Sequence, residues 1–240
     1  GIYDAHIDLA EIPVLPSDPP YLSSRISARR VMARPVVVLR EVETVERVFE
    51  VLKQTRHHGY PVVDHYDPSL DDWADWDDEA HEGQTYGRYM GLIYKSALIV
   101  LLQNKIFSLD PDGVEMLHDR KLRIRDFFDF YPKYDAVLDS LNLSEAEKQC
   151  WINLRPYMNQ SPYSVTKEAT LTKMYTLVRG LGLRHIVVVD HDNMIIGIVT
   201  RKDLARFRSE IRQGKVHLHE MLISDVPDQR QHRISERVVS

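Results

Sequence analysis

The sequence predicts an α+β fold built from two β-α-β-β-α repeats that pair within one chain. Three observations predict it: an internal repeat, helix-spaced apolar positions in both copies, and a polar insert that explains their unequal lengths. At a shift of 126 positions Met32 falls on Met158, Thr44 on Thr170 and Asp64 on Asp190. Between them Val45, Val48, Phe49, Val51 and Leu52 fall on Leu171, Met174, Tyr175, Leu177 and Val178, the spacing of one helix face in each copy. Further on, Gly91 matches Gly197 and Leu98 matches Leu204 at a shift of 106, so the first copy is longer by 126 − 106 = 20 residues.

Each element can be justified in order. "VVVL" (Val36 to Leu39) reads as the first strand, with its counterpart around Ser164 and Val165. A helix starts near Thr44 and again near Thr170, where the helix-spaced apolar positions begin. "YPVVD" and "HIVVVD" are β-rich runs, followed by the strands "MGLIY" and "MIIGIVT" and a closing helix in each copy. "DHDN" (Asp190 to Asn193) reads as a tight turn between paired strands. The extra residues fall in "DPSLDDWADWDDEAHEGQTYG", acidic and aperiodic, which predicts a long loop. One β-α-β-β-α copy buries little alone, so two copies sharing an apolar sheet face are expected. The resulting boundaries are 24–107 for the first copy with its insert at 66–87, a linker at 108–153, the second copy at 154–208 and a tail at 209–240. Within the linker "LRIRDFFDFYP" predicts a short helix stopped by Pro132, and "SEAEK" carries a serine N-cap signal. The linker reads as an ordered segment packed on the pair. The tail has no core pattern beyond Val226 and reads as disordered.

Composition excludes several functions. A net charge of −5 argues against a general nucleic-acid binder. A single cysteine, Cys150, allows no intramolecular disulfide and fits a reducing compartment. The longest apolar run, "SALIVLL", is too short to cross a bilayer, and no secretory leader is present, so the chain reads as soluble. None of the 11 histidines sits in a convincing metal-ligand spacing; "HLH" (His217 to His219) falls in the tail. The acidic run Asp67 to Glu82 lacks the glycine and spacing of a calcium loop, and Trp73 and Trp76 within it either dock a partner or tack the loop down. "RIS" (Arg233 to Ser235) is a weak phosphorylation motif. No nucleotide loop, zinc-protease motif or nucleophile elbow occurs, which predicts no catalysis.

One motif leaves two readings open. "TRKD" places Thr200 three residues before Asp203 at the start of the last helix. Such a spacing forms a capping box, threonine bonding the amide three residues on and the acid reaching back. It also presents a carboxylate and free helix amides to a ligand. The first copy is an internal control: Tyr94 and Ala97 stand where Thr200 and Asp203 stand, so the fold does not require the box. "HHGYP" (His57 to Pro61) divides in the same way. It reads as a helix C-terminus with Gly59 as the left-handed residue, or as a loop that admits a ligand close to its backbone.

"GLRHIVVVDHDNMIIGIVTRKDL" resembles the second half of a cystathionine-β-synthase-type (CBS) domain, which identifies the repeats as tandem CBS domains. "GIYDAHI", "GLIYKSALIVLLQNK", "FYPKY", "MNQSPYSV" and "GLGLRHIVVVD" together resemble the cytoplasmic C-terminal region of eukaryotic CLC chloride channels and chloride/proton exchangers. "SALIVLLQNKIF" and the linker are most similar to the endosomal and lysosomal exchangers. The resemblance covers roughly residues 1 to 208 and fails in the insert and the tail.

That resemblance implies a regulatory module at the cytosolic face of an intracellular (endosomal, lysosomal or vacuolar) membrane. Residues 1–23 would be a membrane-proximal linker, and a homodimer would form through the second copy. Tyr3 would match a chloride-coordinating tyrosine, silent here without the transmembrane transport domain that is its partner. The implied ligand is an adenine nucleotide, ATP favoured over ADP or AMP. Asp203 would accept bonds from the ribose hydroxyls, with Thr200 beside it. Lys202 and Arg201 would lie near the phosphates, and the base near Val36, His57, His58, Gly59, Tyr60 and Pro61. The lost box in the first copy then implies one nucleotide per chain. Other readings are a purely structural assembly domain, or the regulatory half of a soluble enzyme.

Overall fold

The computed structural model describes residues 19, 23–66, 83–113, 115–118, 122–127, 134–160 and 162–212. The segment around Tyr3, the acidic run with Trp73 and Trp76, Pro132, and the tail beyond Arg212 with "HLH" and "RIS" lie outside the described residues. In chain order the elements are a 3-10 turn (Ser23–Arg25), α1 (Ala28–Val31), β1 (Leu39–Arg40), β2 (Val42–Thr44), α2 (Val45–Gln54), β3 (Gly59–Val63), β4 (Tyr89–Tyr94) and α3 (Lys95–Gln103). There follow a second 3-10 turn (Ile124–Phe127), α4 (Tyr134–Ser140), α5 (Glu145–Lys148), β5 (Trp151–Asn153), β6 (Ser164–Thr166), α6 (Leu171–Gly180), β7 (His185–Val189), β8 (Ile195–Thr200) and α7 (Arg201–Arg212). Both copies therefore show the expected β-α-β-β-α order. The chain divides into two compact units that interleave the sequence. A central unit holds Arg34–Ser164 with Val189–Gly197, and a terminal unit holds Gly1–Ala33, Val165–Val188 and Ile198–Ser240.

In the central unit the sheet order is β1-β3-β4. β1 runs parallel to β3, with Leu39 beside Val62, and β3 runs antiparallel to β4 from Gly59 opposite Tyr94 to Val62 opposite Gly91. Only Leu39 and Arg40 of the expected first strand pair; Val36 to Val38 are buried but lie outside the ladder. α2 begins where Thr44 Oγ1 accepts the amide of Arg47 at 3.2 Å. Its Val45, Val48, Val51 and Leu52 turn inward and meet Leu98, Ile99, Leu101 and Leu102 of α3 over Tyr60, Val62 and Ile93. Each such side chain, fully buried, contributes about 1.5–3 kcal/mol of transfer free energy.

The linker is part of this core. β5 pairs antiparallel with β2, a short sheet that the sequence did not announce. Ser108 and Trp151 exchange both backbone bonds at 2.9 Å, and Phe107, Ile152 and Leu154 are buried with the helices. Ser144 and Glu147 form the capping box that starts α5. Lys105 donates to Glu147, which ties the linker to the first copy, and Arg155, just beyond the linker, donates to Glu41 at 2.9 Å. Asn159 then exchanges backbone bonds of 3.0 and 2.8 Å with Leu92, so the leading segment of the second copy edges the last strand of the first. The approach is close: a Cβ on Gly91 would lie 2.6 Å from the Asn159 carbonyl oxygen and 2.9 Å from Met158 Sδ.

The terminal unit repeats the arrangement with the roles of the copies reversed. Ala33 exchanges backbone bonds of 2.8 and 3.2 Å with Ile198 of β8. The two exchanges are related by the repeat itself, since 198 − 92 = 106 and 159 − 33 = 126. Ala28 donates to the Ala169 carbonyl at 2.7 Å and Leu171 to that of Ile26 at 2.8 Å, and α1 packs on α7. Thr170 caps α6 as Thr44 caps α2. β6, β7 and β8 lie in that order. Asp190 Oδ1 accepts from the amides of Asp192 and Met194, both at 2.9 Å, and Asn193 takes φ 62°, which makes the "DHDN" turn. Within the central unit, Asn193 bonds both backbone groups of Tyr89, and Ile195 donates to the Gly87 carbonyl at 2.9 Å. No helix of the described residues is long and apolar enough to cross a membrane.

Two outcomes follow from these contacts. Gly91→Ala should destabilise the fold by about 1–3 kcal/mol, read as a lowered denaturation midpoint, because the Asn159 backbone has to move. Glu147 is held below its ordinary carboxyl pKa of 4.5, first by the Lys105 hydrogen bond and then by the Ser144 amide. A depressed carboxylate stabilises above its unfolded pKa and loses that contribution as pH falls through the folded one. Glu147→Gln should therefore lower the thermal midpoint at neutral pH, and the difference from the parent should shrink as pH drops below 4.5.

Candidate functional site

The start of α7 is a complete capping box. The Asp203 amide bonds Thr200 Oγ1 at 3.3 Å. In return Asp203 Oδ2 accepts from the Thr200 amide at 2.8 Å and from its hydroxyl at 2.6 Å. Asp203 Oδ1 faces Arg206 Nη2 at 3.5 Å, and the carboxylate side chain keeps 12% of its exposure. One oxygen is thus committed to the helix start, while the second retains acceptor capacity beside a cation. Arg201 and Lys202 are exposed on the first turn, at the positive end of the helix dipole.

The matching helix in the first copy starts differently. Tyr94 is the N-cap of α3 and makes no side-chain cap bond, as the sequence comparison implied. Lys95, which matches the exposed Arg201, is buried with 5% of its surface accessible. The backbone environment is nevertheless the same: the Lys95 amide donates to the His58 carbonyl at 3.0 Å and the Arg201 amide to that of Arg184 at 3.3 Å. The two sites share a backbone and differ in side chains.

"HHGYP" resolves against the left-handed glycine. α2 ends at Gln54 with Thr55 as its C-cap at φ −119°, its amide bonding the Val51 carbonyl. Gly59 is instead the first residue of β3, opposite Tyr94. His57 and His58 are exposed, and the His57 ring meets Tyr60 edge-on at 6.1 Å. Tyr60 is wholly buried; its hydroxyl bonds Thr55 Oγ1 at 2.8 Å and donates to the His57 carbonyl at 3.3 Å. Burial pushes its pKa up to about 12, so it stays neutral. Val36, at 4% exposure, and Pro61 are buried too. Any ligand contact from Tyr60 would come through its backbone. Val36 and His57 to Pro61 belong to the central unit, Thr200, Lys202 and Asp203 to the terminal unit.

Among the described residues one further group of possible metal ligands converges, Asp190, His191 and Asp192, whose donor atoms lie within 4.8 Å of one another. The contiguous "DHD" was its only sequence signal. Asp190 Oδ1 is already engaged by the turn amides, and His191 Nε2 lies 3.2 Å from Asp192 Oδ2, so the turn accounts for the cluster.

The CBS domain family model matches residues 28–69 and 154–210, the two repeats. The chain is a CBS-domain pair. It is 40% identical over 226 residues to H(+)/Cl(-) exchange transporter 7 of Homo sapiens, covering 93% of this chain and 25% of that protein. It is 31% identical to the chloride channel protein CLC-d of Arabidopsis thaliana, covering 85% of this chain and 24% of that protein. The chain thus spans about a quarter of the length of the curated relatives it matches. Among solved structures, CBSX2 in complex with AMP is 17% identical with a TM-score of 0.44, covering 78% of this chain and 98% of that chain.

The capping role of the box has its own test. Thr200→Val should cost about 1 kcal/mol of stability, seen in chemical denaturation, because the Asp203 amide loses its acceptor.

Proposed function

We propose that this CBS pair is the regulatory region of a chloride/proton exchanger, and that it binds one adenine nucleotide per chain at the start of α7. The reading rests on the sequence similarity to exchange transporters and on one structural observation. That observation is the asymmetry of the helix starts: the second copy keeps a partly exposed carboxylate on an exposed basic first turn, and the first copy has neither. Asp203 Oδ1 accepts from the ribose hydroxyls, while Oδ2 keeps the helix start in place. The positive end of the α7 dipole with Arg201 and Lys202 favours phosphate oxygens, and ATP over AMP through charge. Val36 and His57 to Pro61, in the central unit, are the candidates for the base contact. The module itself does no chemistry. It acts on a transport domain elsewhere in the protein if nucleotide prefers one arrangement of the pair. Dimerisation through the second copy places the module beside its counterpart in a dimeric exchanger, at the cytosolic face of an intracellular membrane.

Calorimetry with ATP tests the reading. The parent should bind with a stoichiometry of one, Asp203→Asn should weaken binding about tenfold or more, and Thr200→Val should weaken it far less. Absence of heat at millimolar ATP from a folded sample would falsify nucleotide binding. Equal losses in both variants would mean that the box matters only as a cap.

A further inference from the structure

The shift of 106 continues along α3 and α7 and sorts their positions into two classes. Leu204 and Phe207 match Leu98 and Leu101, and all four are buried, so the two helices keep the same core face. Asp203 and Arg206 match Ala97 and Val100, so the first copy lacks the acid and the cation together. Val100 is buried at 1% exposure, whereas the Arg206 side chain keeps 63%. In the second copy the two residues form an ion pair, Arg206 Nη2 lying 3.5 Å from Asp203 Oδ1. They stand three residues apart on one helix face, with the arginine reaching back toward the helix start. Oδ2 is taken by the amide and hydroxyl of Thr200 at 2.8 and 2.6 Å, so Arg206 stands beside the oxygen that the cap leaves. A helical ion pair with an exposed arginine adds little stability. Its place on Oδ1 therefore asks for another reason.

We propose that Arg206 is a specificity-determining residue of the nucleotide site, setting its preference for ligands with several phosphates; the inference rests on the nucleotide reading above. A carboxylate accepts well from ribose hydroxyls, but it repels the phosphates that follow the same ribose. Asp203 alone would offset the attraction that Arg201 and Lys202 exert on those phosphates. With Arg206 beside Oδ1 the pair carries no net charge, and Oδ1 keeps a lone pair for a hydroxyl. The ribose is then held without penalty to the phosphates. Arg206 thus acts differently from its neighbours: Arg201 and Lys202 attract the phosphates, and Arg206 removes a repulsion. All four residues belong to the terminal unit. The repeat fits this division, because the copy that has no acid at the helix start has no arginine to offset it.

The test measures the affinities of the whole chain for ATP, AMP and adenosine by displacement of a fluorescent ATP analogue. The parent is compared with Arg206→Gln and Arg206→Lys. At about 0.05 M salt Arg206→Gln should weaken ATP roughly fivefold, AMP about twofold and adenosine by less than about 1.5-fold. At about 0.5 M salt the ATP loss should shrink to less than about twofold. Arg206→Lys should stay within about twofold of the parent for all three ligands, because one long contact needs the charge rather than the guanidinium fork. A merely structural role would weaken the three ligands equally. The proposal is overturned by equal losses, by an ATP affinity that Arg206→Gln leaves unchanged, by a loss that persists at high salt, or by failure of the lysine to rescue. Each of these outcomes leaves nucleotide binding itself standing, whereas a parent that does not bind ATP removes both readings.

Discussion

The edge exchange between repeats is the constraint on which the rest of the structure depends. A three-stranded sheet leaves its last strand with unpaired backbone groups, which a stable protein has to cover. Here Leu92 of β4 is covered by Asn159, and Ile198 of β8 by Ala33, so each copy's last strand is edged by the segment leading into the other copy. The close approach at Gly91 tolerates no side chain. Because β4 and β8 run directly into α3 and α7, the covered edge also fixes where each helix begins. The candidate site at Thr200 is thereby positioned by sheet pairing two residues upstream.

On that shared frame the two helix starts have diverged in opposite directions. The second copy exposes two cations and shapes a carboxylate with the box. The first buries Lys95 and begins α3 on Tyr94 with no side-chain cap. The contrast separates what folding needs from what remains for a ligand. α3 forms without a box because its leucines and isoleucines are buried on the sheet, and packing rather than capping supplies most helical stability. α7 opens on an exposed basic turn that the box completes, so Asp203 serves the helix whatever else it serves.

Much of this was legible in the sequence. Thr44 and Thr170 announced α2 and α6, "DHDN" announced the β7–β8 turn, and the shifts of 126 and 106 recur in the observed backbone exchanges. The pairing of β2 with β5 was not legible, because three-residue strands carry no periodicity and the partner lies in the linker. Gly59 misled because a glycine after a helix suggests a left-handed cap, whereas the helix had already ended at Thr55. Tyr60 stood in an apolar run buried on both faces, so alternation could not show that its side chain belongs to the core. At Thr200 and Asp203 the sequence offered a cap and a ligand group together, and the geometry contains the cap in full with one carboxylate oxygen left beside Arg206.

A crystal structure of the chain grown with ATP is the most direct test. One nucleotide per chain is predicted, with a ribose hydroxyl within hydrogen-bond distance of Asp203 Oδ1, the Thr200 cap intact and the phosphates at the first turn of α7. A nucleotide bound away from α7, or a well-ordered α7 start that stays empty at saturating ATP, would contradict the assignment.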